Sequence, residues 1–121
     1  MVKKVSIGKD GLPPLADADL AQAKLLFLCN PNNPTGKLLC AGQVLDLADR
    51  CEETETFLLV HEAFIELSDP NASVAAHAPH REFLFVMRSL TKSFGVPGLR
   101  LGFGVTNVKL AGSMNLARIP W

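Results

Sequence analysis

The run Leu25-Leu-Phe-Leu-Cys29 passes without a break into Asn30-Pro-Asn-Asn-Pro-Thr-Gly36. The first five residues are continuously apolar and of strand length. A strand apolar on both sides is expected inside a sheet covered on both faces, which points to parallel α/β architecture. Two prolines, three asparagines and a glycine then exclude helix or strand. The loop is therefore expected at a strand's carboxyl end, where open α/β sheets bind ligands.

The rest of the chain repeats this logic. In residues 41–54, Val44, Leu45, Ala48 and Cys51 share one helical face, while Asp46, Asp49, Arg50 and Glu53 take the other. Phe57-Leu-Leu-Val60 is a second buried strand, so residues 25–61 read as one βαβ unit ending in His61-Glu-Ala-Phe64. Ser68 to His80, with small residues and two prolines, reads as a surface loop. A third strand is expected over Phe83–Met87 and a fourth over Leu101–Val105. The link between them is short and interrupted by Pro97, too little for a helical crossover, so the last strand is expected to run antiparallel. The fold class is thus α/β, a mostly parallel sheet with flanking helices and one antiparallel strand. Residues 1–24, with Gly11, Pro13 and Pro14 ahead of a short helical turn at 17–24, form a lead-in segment. Residues 108–118 are expected to begin another helix, and Pro120-Trp121 ends the chain with no closing element, which reads as a cut within a domain.

Composition narrows the function classes. Twelve basic and twelve acidic residues among 121 cancel, leaving no electrostatic footprint for nucleic acid or an acidic membrane surface. No apolar run reaches the length of a membrane span. The start lacks the apolar core of a signal peptide, and the expected location is the cytoplasm. Cys29, Cys40 and Cys51 are odd in number and widely spaced, which fits buried thiols in a reducing compartment better than disulfides or zinc. His77 and His80 flank Pro79, which blocks a helical ligand pair, so no metal is expected. Gly98, Gly102 and Gly104 do not make a dinucleotide-binding pattern.

Three loops, 30–36, 61–64 and 88–100, converge at one sheet edge if the strands are parallel. They bring an amide (Asn33), His61 and Glu62, a lysine (Lys92), hydroxyls (Ser89, Thr91, Ser93) and Arg100. A buried lysine of lowered pKa is a nucleophile for carbonyls. Arginine beside hydroxyls suits a phosphate oxyanion. A cofactor carrying both an aldehyde and a phosphate matches that pairing, and pyridoxal 5'-phosphate is the candidate.

Asn30-Pro-Asn-Asn-Pro-Thr-Gly36, Glu62-Ala-Phe64, Ser89-Leu-Thr-Lys92 and Gly98-Leu-Arg-Leu-Gly102 resemble the class I/II aminotransferases of fold type I, in the family's order and spacing. Within that family, Arg88-Ser-Leu-Thr-Lys92, Val96-Pro-Gly-Leu-Arg100 and Pro120-Trp121 are most similar to the threonine-phosphate decarboxylase branch of cobalamin synthesis, with histidinol-phosphate aminotransferases as close neighbours. The resemblance implies that residues 25–121 are the central part of the large cofactor-binding domain, without its N-terminal portion or the C-terminal small domain. It implies Lys92 as the Schiff-base lysine, and later as general base and acid. Ser89 and Arg100 would bind the cofactor phosphate with Thr91 close by, and Asn33 the ring hydroxyl. Phe64 stands where many relatives have a tyrosine, so Asn33 would serve that hydroxyl alone. It further implies a small-molecule substrate, an amino acid or phosphorylated amino acid, and a homodimer.

The departure from the pattern is His61, where relatives carry an aspartate that pairs with the protonated pyridine nitrogen. A neutral imidazole hydrogen-bonds that nitrogen without a compensating charge, so a weakened electron sink is expected. Glu62 is no substitute, because adjacent strand residues face opposite ways. The alternative for His61 is a core histidine satisfied by a backbone carbonyl. For the whole chain, the alternative is a non-catalytic remnant that folds or associates through unpaired strand edges.

Overall fold

The structure is a computed structural model that describes residues 2–8 and 11–119. Its centre is a sheet of four strands, β1 (Leu25–Cys29), β2 (Phe57–His61), β3 (Leu84–Ser89) and β4 (Gly102–Val105), in the order β1-β2-β3-β4. The first two pairings are parallel, with Leu28 opposite Val60 and Val60 opposite Val86. The third is antiparallel, with Val86 opposite Val105 and Ser89 opposite Gly102. The short, proline-broken link after β3 therefore returns the chain antiparallel, as its length requires. Helices α1 (Asp17–Ala21), α2 (Ala41–Glu53), α3 (Leu90–Ser93) and α4 (Val108–Ala117) complete the regular structure. The Pro120-Trp121 pair falls outside the described residues.

Helix α2 forms where its apolar spacing directs. Val44, Leu47, Ala48 and Cys51 are buried and Leu45 packs at their margin. At its start the Cys40 backbone N–H donates to Gln43 Oε1 at 3.0 Å. It ends at Thr54, after which Glu55 turns left-handed at φ 53°. The Thr56 hydroxyl donates to the Leu20 carbonyl at 2.6 Å, tying α1 to the foot of β2. Arg50 on α2 donates to Asp17 at 2.8 Å from the same side.

Period-two alternation splits the sheet residues into two sets. Leu28, Leu58, Val60, Leu84 and Val86 face α2 and form the core with Val74 and Ala78. The other set, Leu25, Phe27, Leu59, His61 and Phe85, lies on the opposite face, where Leu25 and Phe27 remain 54% and 53% exposed. The expectation of strands buried on both faces is thus corrected. Helix α2 covers the first set, while on the other side Leu110 and Ser113 of α4 reach only the end of the sheet near Phe57 and Phe83.

Three further expectations change. Ser68 to His80 is not a loop over the surface. It holds 3-10 turns at Pro70–Ala72 and Ala75–His80 and sends Ala72, Val74 and Ala78 into the interior. The stretch from 88 to 100 contains α3 and a 3-10 turn at Pro97–Leu99 rather than open loop alone. Of the three thiols, only Cys51 is fully buried; Cys29 is half-buried and Cys40 exposed.

Candidate functional site

Parallel β1, β2 and β3 all end at one edge, and antiparallel β4 begins there, so the four strands deliver their flanking residues together. Asn30, only 1% exposed, anchors the first loop. Its amide donates to the Leu39 carbonyl at 3.0 Å and its carbonyl accepts from the Leu39 N–H at 2.9 Å. Within the loop, Gly36 N–H donates to the Asn32 carbonyl at 2.7 Å, and Gly36 takes the left-handed φ of 71° that this turn needs. Asn33 is exposed at the tip. Across from it, Phe64 and Leu67 help close an open cleft of about 280 Å³ lined also by Pro31, Pro34 and Ser68. Asn33 and Phe64, read as neighbours at one ring substituent, do share a surface.

Ser89 ends β3 and caps α3, accepting from the Thr91 N–H. Its hydroxyl lies 2.7 Å from that of Thr91. Leu90 N–H donates to the Leu101 carbonyl at 3.0 Å, so α3 starts against the strand that carries Arg100 into the sheet. Arg100 adopts φ 50°, a left-handed conformation that a side chain other than glycine or asparagine rarely takes, and such outliers concentrate at functional positions. Lys92 and Arg100 are both exposed, and among the described residues neither cation has a hydrogen bond or ion pair. The buried amine expected at Lys92 is therefore not what this chain presents. Lys92, Ser89 and Arg100 also stand outside the cleft that holds Asn33 and Phe64.

His61 is half-buried at the end of β2, opposite Cys29 and Met87. Its Nδ1 contacts the Cys29 sulfur at 3.8 Å and its ring leans on Phe27 with centroids 6.0 Å apart. Burial holds the Cys29 thiol above its ordinary pKa, so the sulfur keeps its proton.

A second constellation escaped the reading of the sequence. Glu62 is 0% exposed, on the core-facing side of the sheet. Its carboxylate accepts from the Val74 N–H at 2.9 Å, from the Ser73 hydroxyl at 2.7 Å and from Arg88 Nε at 3.1 Å. Arg88 also donates to Glu66 at 2.8 Å and to the Ser73 hydroxyl, while Glu66 accepts from Ser93 at 3.1 Å. Every buried polar side-chain atom among the described residues is satisfied. The signal was available: alternation places Glu62 with Leu58 and Val60, and Arg88 with Leu84 and Val86, so each charge sits on the buried set and needs a partner. Because Ser93 follows Lys92, this network reaches the lysine-bearing turn. The expectation that Glu62 faces away from His61 agrees with this placement.

A family model described as aminotransferase class I and II matches residues 9–121. The chain is 36% identical over 103 residues to a histidinol-phosphate aminotransferase of Ruminiclostridium cellulolyticum, covering 85% of this chain and 28% of that protein. It is 43% identical over 106 residues to a threonine-phosphate decarboxylase of a Sinorhizobium species, covering 88% of this chain and 32% of the relative. Among solved structures, the histidinol-phosphate aminotransferase of Sinorhizobium meliloti in complex with pyridoxal-5'-phosphate superposes with a TM-score of 0.78 at 26% identity. That match covers 93% of this chain and 31% of that one. The chain thus spans less than a third of the length of each of these proteins. No helix among the described residues is long and apolar enough to cross a membrane.

Proposed function

The chain belongs to the class I and II aminotransferase family, and from that premise we propose that it is the lysine-bearing central part of a pyridoxal-phosphate enzyme. Residues 25–121 are then the middle of the large cofactor-binding domain, preceded by a lead-in at residues 1–24. The observation that carries the reading is the donor set at one sheet edge. It comprises the paired hydroxyls of Ser89 and Thr91, 2.7 Å apart, and the exposed cations Lys92 and Arg100. Two cations with hydroxyl donors suit a ligand that presents a phosphate and a carbonyl together.

When bound, pyridoxal phosphate supplies an aldehyde for an amine and a conjugated ring that withdraws electrons from an attached amino acid. Lys92 Nζ would be the amine, and once released, the carrier of a proton to and from the substrate carbon. Arg100 and Ser89 would hold the phosphate with Thr91 beside them. The Asn33 amide would donate to the ring hydroxyl, and Phe64 offers no second donor there. His61 would meet the pyridine nitrogen without the negative charge of a carboxylate.

The finer reading is a threonine-phosphate decarboxylase of cobalamin synthesis, supported by the 43% identity to that enzyme and by the missing hydroxyl at Phe64. A histidinol-phosphate-type aminotransferase is the neighbouring reading, supported by the relative at 36%. Either acts on a phosphorylated amino acid or amine in the cytoplasm, as a homodimer in the complete enzyme. The exposed Leu25 and Phe27 favour a second reading, in which the chain associates without chemistry.

Adding pyridoxal phosphate to the chain, reducing with borohydride and mapping the modified peptide separates these. The first reading expects a visible absorption band and modification at Lys92, both lost in Lys92→Ala. No band, with wild type and Lys92→Ala behaving alike, would overturn it for this chain.

A further inference from the structure

His61, which stands where the family resemblance implies an aspartate, is not an isolated histidine. His61 Nδ1 lies 3.8 Å from the Cys29 sulfur, across the β1–β2 pairing that puts Cys29 opposite His61. Phe27, on the same face two residues before Cys29, packs against the imidazole and limits its rotation. A neutral imidazole has one N–H donor and one acceptor nitrogen, and the partner of one nitrogen decides which is which. A thiol is a donor through S–H, and the half-buried Cys29 stays in that form because burial disfavours its anion.

We propose that Cys29 is a positioning residue for His61. Its S–H donates to Nδ1, which leaves the proton on Nε2, so the histidine meets a ligand at the sheet edge as a hydrogen-bond donor. This rests on the reading of the site as a pyridoxal-phosphate site. There, an Nε2–H donor requires an acceptor, and the pyridine nitrogen is an acceptor only when it carries no proton. Cys29 and His61 together therefore select the unprotonated ring. A carboxylate at the same position selects the protonated ring. The replacement of a carboxylate by a thiol–imidazole pair thus exchanges one protonation state of the cofactor for the other.

Two measurements on the full chain test this. The first needs no cofactor. With histidine ring nitrogens labelled with nitrogen-15, two-bond proton–nitrogen spectra at about pH 8, where an ordinary imidazole is neutral, read the tautomer of His61. The Nε2–H form is expected to dominate in wild type and in Cys40→Ala, an exposed-thiol control. In Cys29→Ala its ratio to the Nδ1–H form is expected to fall about three-fold, the low end for a hydrogen bond because a thiol is a weak donor. A wild-type proton on Nδ1, an imidazolium, or an unchanged ratio in Cys29→Ala overturns the proposal. The second measurement adds pyridoxal phosphate labelled with nitrogen-15 in the ring. An unprotonated ring nitrogen is expected in wild type and a protonated one in His61→Asp. A protonated ring in wild type overturns the inference while leaving the cofactor reading intact. Failure of pyridoxal phosphate to bind, with the tautomer as expected, overturns the cofactor reading and its ring-nitrogen assignment but not the Cys29–His61 bond.

Discussion

The two faces of the sheet are built from the same strands and have opposite characters. One, carrying Leu58, Val60 and Glu62, is closed by α2 and by the segment through Val74 and Ala78. The other, carrying Phe27, Cys29 and His61, leaves Phe27 more than half exposed and holds residues assigned here to chemistry. The difference separates what holds the chain together from the face on which the proposed cofactor contact at His61 lies. Substitutions on the first face should act on stability, and those on the second on binding.

The sharpest test of that division is Arg88→Ala. It leaves a fully buried carboxylate with the neutral donors Val74 N–H and Ser73 hydroxyl but no opposite charge, and frees Glu66, which holds Ser93 beside Lys92. Breaking one side of a buried pair costs about 3–5 kcal/mol, read as a fall in the urea midpoint at unchanged slope. If Arg88→Ala unfolds at the wild-type midpoint, the core face is not the stabilising one. Next comes Leu58→Ala, which empties a fully buried position and should cost about 2–5 kcal/mol. Phe27→Ala, on the opposite face of the neighbouring strand, should stay within about 0.5 kcal/mol. Equal losses at the two sites would erase the distinction. Asn30→Ala leaves the Leu39 N–H and carbonyl without their buried partner and should cost about 1–3 kcal/mol by the same measurement.

A pH-dependent test concerns Cys51, which burial pushes from the ordinary thiol value of 9.0 up to about 11, against the opposing charge of Arg50. Its folded pKa is raised, so its contribution is fully present below about pH 9 and is lost as the pH climbs toward 11. Urea titrations across that window should show a decline that Cys51→Ala flattens. In native protein, exposed Cys40 should be alkylated well before Cys51. Cys51 reacting as fast as Cys40 would contradict its place in the closed face.

Particular residues show how far the sequence could be read. Leu25–Cys29 was expected as a strand and is one, and residues 41–54 were expected as a helix and form α2 with nearly those bounds. The antiparallel β4 followed from Pro97 and a link too short for a crossover. Ser68 to His80 was misread because proline and small residues signal an exposed loop and a buried 3-10 segment equally well. Only the contacts of Val74 and Ala78 with the sheet distinguish the two. Around the site, spacing and family resemblance named Asn33, Phe64, Ser89, Thr91, Lys92 and Arg100. Cys29 was read only as a buried thiol, because nothing local to residue 29 reveals that residue 61 lies opposite it.

Local rules acting over a few residues therefore determined the strands, the long helix, the strand directions and the loops that meet at one edge. Apolar run length, helical spacing and proline placement are properties of the chain before it folds. Tertiary structure decided which of the two alternating residue sets is covered, that Glu62 pairs with Arg88, that Lys92 stands exposed, and that His61 faces a thiol. Alternation defines two faces but is symmetric between them. The choice is made by segments distant in sequence, and by the need of each buried charge to find a partner wherever the fold brings one.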